Sequence, residues 1–278
     1  MNVHIMMFTV AVCYTITSLS DKYAVSGAKF EGHEFTFLMC ASMSVFLTVT
    51  LPFQTLYFTP GWQSGAAILL IAVCKLLEFE MSALVLRELT AFELKAWLGI
   101  TLFASYLTDV FYGADLRIIK LIFIMITILG LVCISYEEKG HKVKYRKIVL
   151  PLIFYLVSKY CYGLVIKAFS PYVSSTLQLL VALVLLSLVM LTKINPVKLV
   201  RKNQRGVLLV GLARIPNVMG MLLENAVIAI SLVNYSFIQP LILVNLFWIG
   251  RFRKEQCTRW NLIGSLLCVI GVIAFQVT

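Results

Sequence analysis

Ten long apolar stretches run from one end of this 278-residue chain to the other, with little between them. Roughly 20 consecutive apolar residues of helix cross the hydrocarbon core of a bilayer. The stretches at 4–20, 34–53, 63–86, 90–110, 116–135, 148–168, 171–192, 206–229, 231–250 and 260–277 come close to that length. Hydrophobic residues make up 60% of the chain and charged residues only 13%, too little polar surface for a water-soluble fold of this size. The expected fold class is an all-α integral membrane protein with ten transmembrane helices. Short connections favour antiparallel neighbours and leave no room for a soluble catalytic domain. The third and fourth stretches meet where Arg87, Glu88, Glu93 and Lys95 crowd together; merging or dropping one gives a nine-helix alternative.

The first stretch has no basic n-region, because no Lys or Arg precedes Lys22, so a span is expected rather than a signal peptide. Of the seven cysteines, Cys13, Cys40, Cys74, Cys133, Cys161 and Cys268 fall inside apolar stretches and Cys257 outside them. No two are spaced as C-x-x-C, so small apolar packing is expected in place of a disulfide framework or zinc site.

The formal net charge is +11, and its placement matters more than its size. Alternate connections hold most of the basic residues. Lys22 and Lys29 lie in the first, and Arg87 and Lys95 crowd the junction that forms the third. The fifth holds Lys139, Lys142, Lys144, Arg146 and Lys147, and the seventh Lys193, Lys198, Arg201, Lys202 and Arg205. Arg251, Arg253, Lys254 and Arg259 lie in the ninth. The even connections carry only Arg117, Lys120 and Lys167. An excess of Lys and Arg marks the cytoplasmic side, so the odd loops are expected inside and both termini outside. The expected location is a bacterial cytoplasmic membrane, with the basic loops against anionic lipid headgroups. Nucleic acid is not an expected partner, because no reader domain or aromatic platform lies outside the apolar stretches.

The two halves read as diverged copies. Tyr14 to Ser26 aligns with Lys159 to Ser170, setting Lys22 against Lys167. Leu69-Leu70 to Lys75 aligns with Leu208-Leu209 to Arg214, and Leu129-Gly130-Leu131 with Ile270-Gly271-Val272. Five helices per half is an odd number, so the second copy enters the bilayer from the opposite face. The expected organisation is two inverted five-helix repeats, 1–135 and 148–278, joined by the basic loop 136–147. In inverted-repeat transporters the site lies near the midplane between the halves.

In length, helix count and 5 + 5 organisation, essentially the whole chain resembles the ten-helix EamA-type branch of the drug/metabolite transporter superfamily. Local echoes are Asp21-Lys22-Tyr23 followed by Ser26-Gly27, and Pro240 to Gly250 followed by a polar link and a last helix with Gly264 and Gly271. The chain departs from the family where Gly-Glu often precedes the last helix of each half: it has Gly113-Ala114 and Gly250-Arg251. Members also usually keep both termini in the cytoplasm, opposite to the charge bias here. The resemblance implies a central cavity lined by helices one to four and six to nine, peripheral fifth and tenth helices, and transport of a small metabolite by alternating access. Fold resemblance alone names no substrate.

Charged groups at the centre of a bilayer cost about 2.5–3.5 kcal/mol on insertion scales, so they should face a cavity or a partner. Lys75, Glu78 and Ser82 share one stripe of the third stretch. In the eighth, Arg214, Asn217, Met221 and Glu224 or Asn225 form an analogous stripe, with Arg214 aligned to Lys75. Two such cations suit a carboxylate or phosphate, which Arg grips bidentately and Lys meets as a point charge. A closed Lys75–Glu78 pair, and an Arg214 held by Glu224 or another acid, would serve structure equally well. Pro216 removes a backbone donor near Arg214, and interrupted helices point to transporter sites; a packing kink explains it too. Pro240, just after Gln239, has the same two readings.

Tyr155, Lys159 and Tyr162 share a face of the sixth stretch, and Tyr14, Thr17 and Ser18 form the matching face of the first. They either bound a cavity and stack on a substrate or bridge helices through their hydroxyls. Tyr235, Gln239 and Asn245 of the ninth stretch have the same alternatives. Glu80 lies about 140° round the helix from Lys75 and should meet a different neighbour. Buried carboxylates can exchange protons near neutral pH, so Glu78, Glu80 and Glu224 are the proton-coupling candidates. Asp109 is expected to cap a helix near the interface. His4, His33 and His141 have no nucleophile and acid around them, and no phosphate loop or metal cluster is visible, so neither an enzyme nor a cofactor is expected.

The leading expectation is therefore a secondary transporter, monomeric or homodimeric, for a small anionic or zwitterionic metabolite. Lys75, Arg214 and Lys159 would hold its anionic part, with Tyr14, Tyr162 and Tyr235 around its body. An exporter of organic cations, a lipid-linked-sugar flippase and an accessory membrane subunit are the alternatives.

Overall fold

The computed structural model describes residues 3–89, 91–98, 101–135, 145–252 and 259–278. These residues form helices without any strand; the only β contact among them is an isolated bridge between Phe58 and Val173. Thirteen α-helices follow one another: α1 (Val3–Lys22), α2 (Gly32–Thr50), α3 (Trp62–Glu88), α4 (Ala91–Leu98), α5 (Thr101–Phe111), α6 (Ile118–Ser135), α7 (Tyr145–Phe169), α8 (Ser175–Leu191), α9 (Pro196–Lys202), α10 (Gln204–Leu212), α11 (Arg214–Ile230), α12 (Leu232–Phe252) and α13 (Arg259–Val277).

Each apolar stretch falls on one helix or a pair. Among the described residues, five segments are long and apolar enough to cross a membrane: Val3–Gly27, Gly32–Phe53, Lys147–Phe169, Gln204–Ile230 and Leu232–Ile249. A sixth qualifies if α8 and α9, bent by 84°, are counted together. The remaining helices fall short for separate reasons. α3 is 27 residues long, about 40 Å at 1.5 Å per residue, but carries Lys75, Glu78 and Glu80 in its middle. The apolar parts of α6 and α13 are shorter, at Ile118–Cys133 and Leu262–Phe275. The fourth stretch is divided between α4 and α5.

Local chemistry explains several boundaries. At α9, a segment read as plain connection, the Asn195 side chain accepts from the Val197 and Lys198 amides at 3.1 and 3.2 Å. Pro196 follows as the first helical residue, where its missing donor costs nothing. Asn203 caps α10 through the Gly206 amide at 2.9 Å. The eighth stretch breaks at Ala213, three residues before Pro216. There the Arg214 side chain takes the Val210 carbonyl, with Nε 3.1 Å away, satisfying an acceptor the interrupted helix would leave bare.

The helices pair in a regular way. α3 lies along α7, α1 along α11, α2 along α8, α4 and α5 along α12, and α6 along α13. The last pair crosses closely enough that a Cβ on Gly130 would stand 2.7 Å from the Gly264 carbonyl oxygen, and one on Gly271 would stand 3.0 Å from the Phe123 carbonyl oxygen.

Connections gather at two ends. At the Lys167 end, the Thr59 amide donates to the Tyr172 carbonyl at 2.8 Å and the Ser174 amide to the Tyr57 carbonyl at 3.0 Å. There too Asp109 receives Lys167 at 2.6 Å and caps α12 through the Leu232 and Val233 amides at 3.1 and 2.9 Å, the capping role expected of it. At the Lys202 end, Lys22 donates to the Leu86 and Leu89 carbonyls at 2.7 and 2.9 Å, and Lys202 pairs with Glu34 at 3.0 Å.

Candidate functional site

Lys75 and Glu78 sit one turn apart on α3, and α7 presses Lys159 against the same carboxylate. Glu78 Oε2 receives Lys75 Nζ at 2.8 Å and Oε1 receives Lys159 Nζ at 2.8 Å. The Lys75, Lys159 and Glu78 side chains are 2%, 9% and 10% exposed, so one carboxylate binds two cations away from bulk water. Aromatic rings complete the shell. Lys75 Nζ lies 3.9 Å from the Tyr162 ring centroid and 5.8 Å from that of Phe79; Lys159 Nζ lies 5.8 Å from that of Tyr14. Ring faces are negative and attract ammonium groups.

This cluster forms the floor of a cavity with about 60 Å³ open to the centre of a water-sized sphere, room for roughly four waters. α1 contributes Tyr14, Thr17, Ser18 and Asp21 to its wall, and α2 contributes Met39 and Met43. Ser82 extends the α3 stripe, Tyr155 accompanies Lys159 from α7, and Asn217 and Met221 come from α11. The remaining wall is α4, which adds Ala91, Leu94 and Lys95. Among the described residues, Lys95 is the one cation of the wall without an ion pair.

Towards the Lys167 end, tyrosine hydroxyls close the cavity. Tyr14 donates to Glu224 Oε2, Tyr162 donates to Asn225 Oδ1 at 2.7 Å, and Tyr235 donates to the Lys159 carbonyl at 3.2 Å. Behind them the Ser105 and Ser236 hydroxyls share a hydrogen bond at 2.5 Å, and Thr108 pairs with Tyr160. Glu224 Oε1 and Asn225 Nδ2 are buried without a protein partner among the described residues.

The structure thus brings together Tyr14, Lys75, Glu78, Ser82, Lys159 and Asn217 on one cavity. Tyr162, Asn225, Tyr235 and Glu224 form the layer behind it. Gln239 lies in a separate small void with Lys159 and Tyr235. Arg214, aligned with Lys75 in sequence, sits differently. It is fully buried and off the cavity wall, with Nη2 on Asp21 Oδ1 at 2.5 Å and Nη1 on Met39 Sδ at 2.9 Å. Its partner acid is Asp21 and not Glu224. Glu80 points away from the cluster, as its helix angle required, and meets His33 of α2 at 2.8 Å. His141, Cys257 and most of the loop 136–147 lie outside the described residues.

Sequence reasoning missed Asp21 and Lys95 as cavity residues. Both lie at the ends of apolar stretches, where charges are ordinary, and only the inward turn of those ends exposes their role. Met39 and Met43, which no charge or spacing singled out, receive Arg214 and Asn217 on their sulfurs, the second at 3.4 Å.

The described chain is an all-helical protein with several helices of membrane-crossing length around a buried, ionised cavity. No known family model matches it and no curated protein matches its sequence.

Proposed function

We propose that this protein is a ten-span secondary transporter of a small anionic or zwitterionic metabolite, built as two inverted five-helix repeats like the drug/metabolite transporters it resembles. The observation that carries the proposal is the Lys75–Glu78–Lys159 cluster. Its members come from both proposed repeats and meet on one polar cavity. Buried charge of this kind marks substrate and ion pathways in membranes.

The helix pairing supports the repeat. Exchanging the halves turns the α1–α11 contact into the α7–α3 contact and returns the α2–α8, α5–α12 and α6–α13 contacts to themselves. The aligned glycines Gly130 and Gly271 both lie on the α6–α13 crossing. Two five-helix units related by a two-fold axis would pack in this manner.

The cavity sits on the Lys202 side of the tyrosine layer, and the basic connections mark that side as cytoplasmic. The substrate site would therefore face the cytoplasm when Tyr14, Tyr162 and Tyr235 are engaged, and rocking of the halves would break that layer. Of the cations expected to hold the substrate, Lys75 and Lys159 share Glu78 while Arg214 is held by Asp21. Lys95 is left to meet the anion. Among the candidate acids, Glu78 is committed to two lysines and Glu80 to His33; Glu224 is the one whose free oxygen suits proton coupling.

The test is a thermal-stability screen of purified protein against amino acids, sugar phosphates, nucleosides and quaternary amines, followed by counterflow of each stabilising compound in proteoliposomes. An anion or zwitterion should stabilise the protein and exchange, with exchange lost in Lys95→Met and its pH dependence lost in Glu224→Gln. The complete pairing of Lys75, Lys159 and Arg214 around a small cavity also fits an accessory membrane subunit. A protein that neither binds nor exchanges any of these compounds would favour that second reading.

A further inference from the structure

The even connections of the sequence carry only Arg117, Lys120 and Lys167, and the fold collects all three around one vestibule at the Lys167 end, on the far side of the tyrosine layer from the central cavity. The vestibule measures about 640 Å³, within the roughly 300–1,000 Å³ typical of sites for small organic ligands. Tyr106, Tyr112 and Phe275 add aromatic surface to its wall. Positive charge is disfavoured on the non-cytoplasmic side of membrane proteins, so a concentration of it in one concave place needs a cause other than topology.

The pairing of the vestibule's charges leaves Lys120 open to an anion. Asp109 is saturated, because Lys167, the Ser231 hydroxyl and the Leu232 and Val233 amides all converge on it. Arg117 Nη1 bonds a main-chain oxygen of Thr278 at 2.5 Å. Lys120 Nζ lies 4.9 Å from the Phe275 ring centroid and has no acid partner among the described residues. Asp115 is the only other acidic side chain on the wall among the described residues. Lys120 thus has no acid to neutralise it among the described residues and lies beside rings able to cover an organic body.

We propose that this vestibule is a second binding site, specific for an organic phosphate or carboxylate, with Lys120 and Arg117 as its anion-gripping residues. Its use as the loading station of the carrier rests on the function proposed above; its ability to bind does not. The same chemistry is presented by a soluble phosphate ester and by the headgroup of an anionic phospholipid.

The full chain in phosphatidylcholine nanodiscs separates the cases by calorimetric titration with glycerol 3-phosphate, repeated with phosphatidylglycerol in the disc. Wild type should bind glycerol 3-phosphate, and Lys120→Gln, which loses one charge-assisted contact, should bind about tenfold more weakly. Lys193→Gln with Lys198→Gln, at the opposite end, should bind as wild type does. Undiminished binding in the phosphatidylglycerol disc identifies a soluble anion as the occupant; competition by phosphatidylglycerol identifies the headgroup. The proposal is overturned if wild type responds to neither probe, or if Lys120→Gln and Arg117→Gln bind both as tightly as wild type. Counterflow in Lys159→Met keeps the two proposals apart: loss of transport with vestibule binding intact touches the central site alone, and transport without vestibule binding removes only this inference.

Discussion

Replacing Glu78 by glutamine keeps the shape of the side chain and removes the single negative charge that Lys75 and Lys159 share at 2.8 Å each. Removing one partner of a buried ion pair costs about 3–5 kcal/mol. Here two cations are stranded at once. Held on one carboxylate, the two ammonium groups lie within roughly 8 Å of each other, which adds a repulsion of about 2 kcal/mol at an effective dielectric near 20. Together these put the loss at about 5–7 kcal/mol. Lys75→Met, by contrast, leaves Glu78 paired with Lys159 and should cost only about 1–3 kcal/mol. Equilibrium unfolding of the purified variants in mixed micelles measures both. A Glu78→Gln protein as stable as Lys75→Met would refute the shared-carboxylate argument.

Three further outcomes follow from the same geometry. Arg214→Met leaves Asp21 without its cation and should cost about 3–5 kcal/mol, whereas adding Asp21→Leu should recover much of it; a double variant no more stable than the single would count against the pair. Gly130→Ala drives a Cβ to 2.7 Å from the Gly264 carbonyl oxygen and 2.8 Å from the Cys268 amide nitrogen, both rigid backbone atoms, and should destabilise by about 1–3 kcal/mol. Gly211→Ala meets nothing nearer than Ser42 Oγ at 3.7 Å and should be neutral or better on unfolding. Asp109→Asn loses the Lys167 ion pair and weakens the cap on α12, so hydrogen exchange at the Leu232 and Val233 amides should accelerate by about tenfold or more; unchanged protection there would exclude the capping role.

Much of the helical layout was legible from hydropathy, since a helix that buries its own backbone bonds needs only a run of apolar residues to declare itself. The breaks were less legible. Pro216 announced an interruption in the eighth stretch, but its place at Ala213 depended on the Arg214 side chain reaching the Val210 carbonyl. α9 was hidden because it is short and basic, and its signal was the Asn195-Pro196 pair and not any periodicity. The count of membrane-crossing segments could not be read from apolar runs alone, because α3 interrupts its own hydrophobicity with Lys75, Glu78 and Glu80.

Periodicity by itself determined which face of its helix each charge would occupy: Lys75, Glu78 and Ser82 had to fall on one stripe, and Glu80 on another. Who stands opposite a stripe is a matter of which helices pair. Lys159 reaches Glu78 across 81 positions of chain, Asp21 reaches Arg214 across 193, and Tyr14 reaches Glu224 across 210. Helix sterics are local and repeat every 3.6 residues, so they are written in the order of the amino acids. Compensation of buried charge acts between segments brought together only by packing, and it was the tertiary structure that chose one carboxylate for two lysines and, among the described residues, left Lys95 without an ion pair.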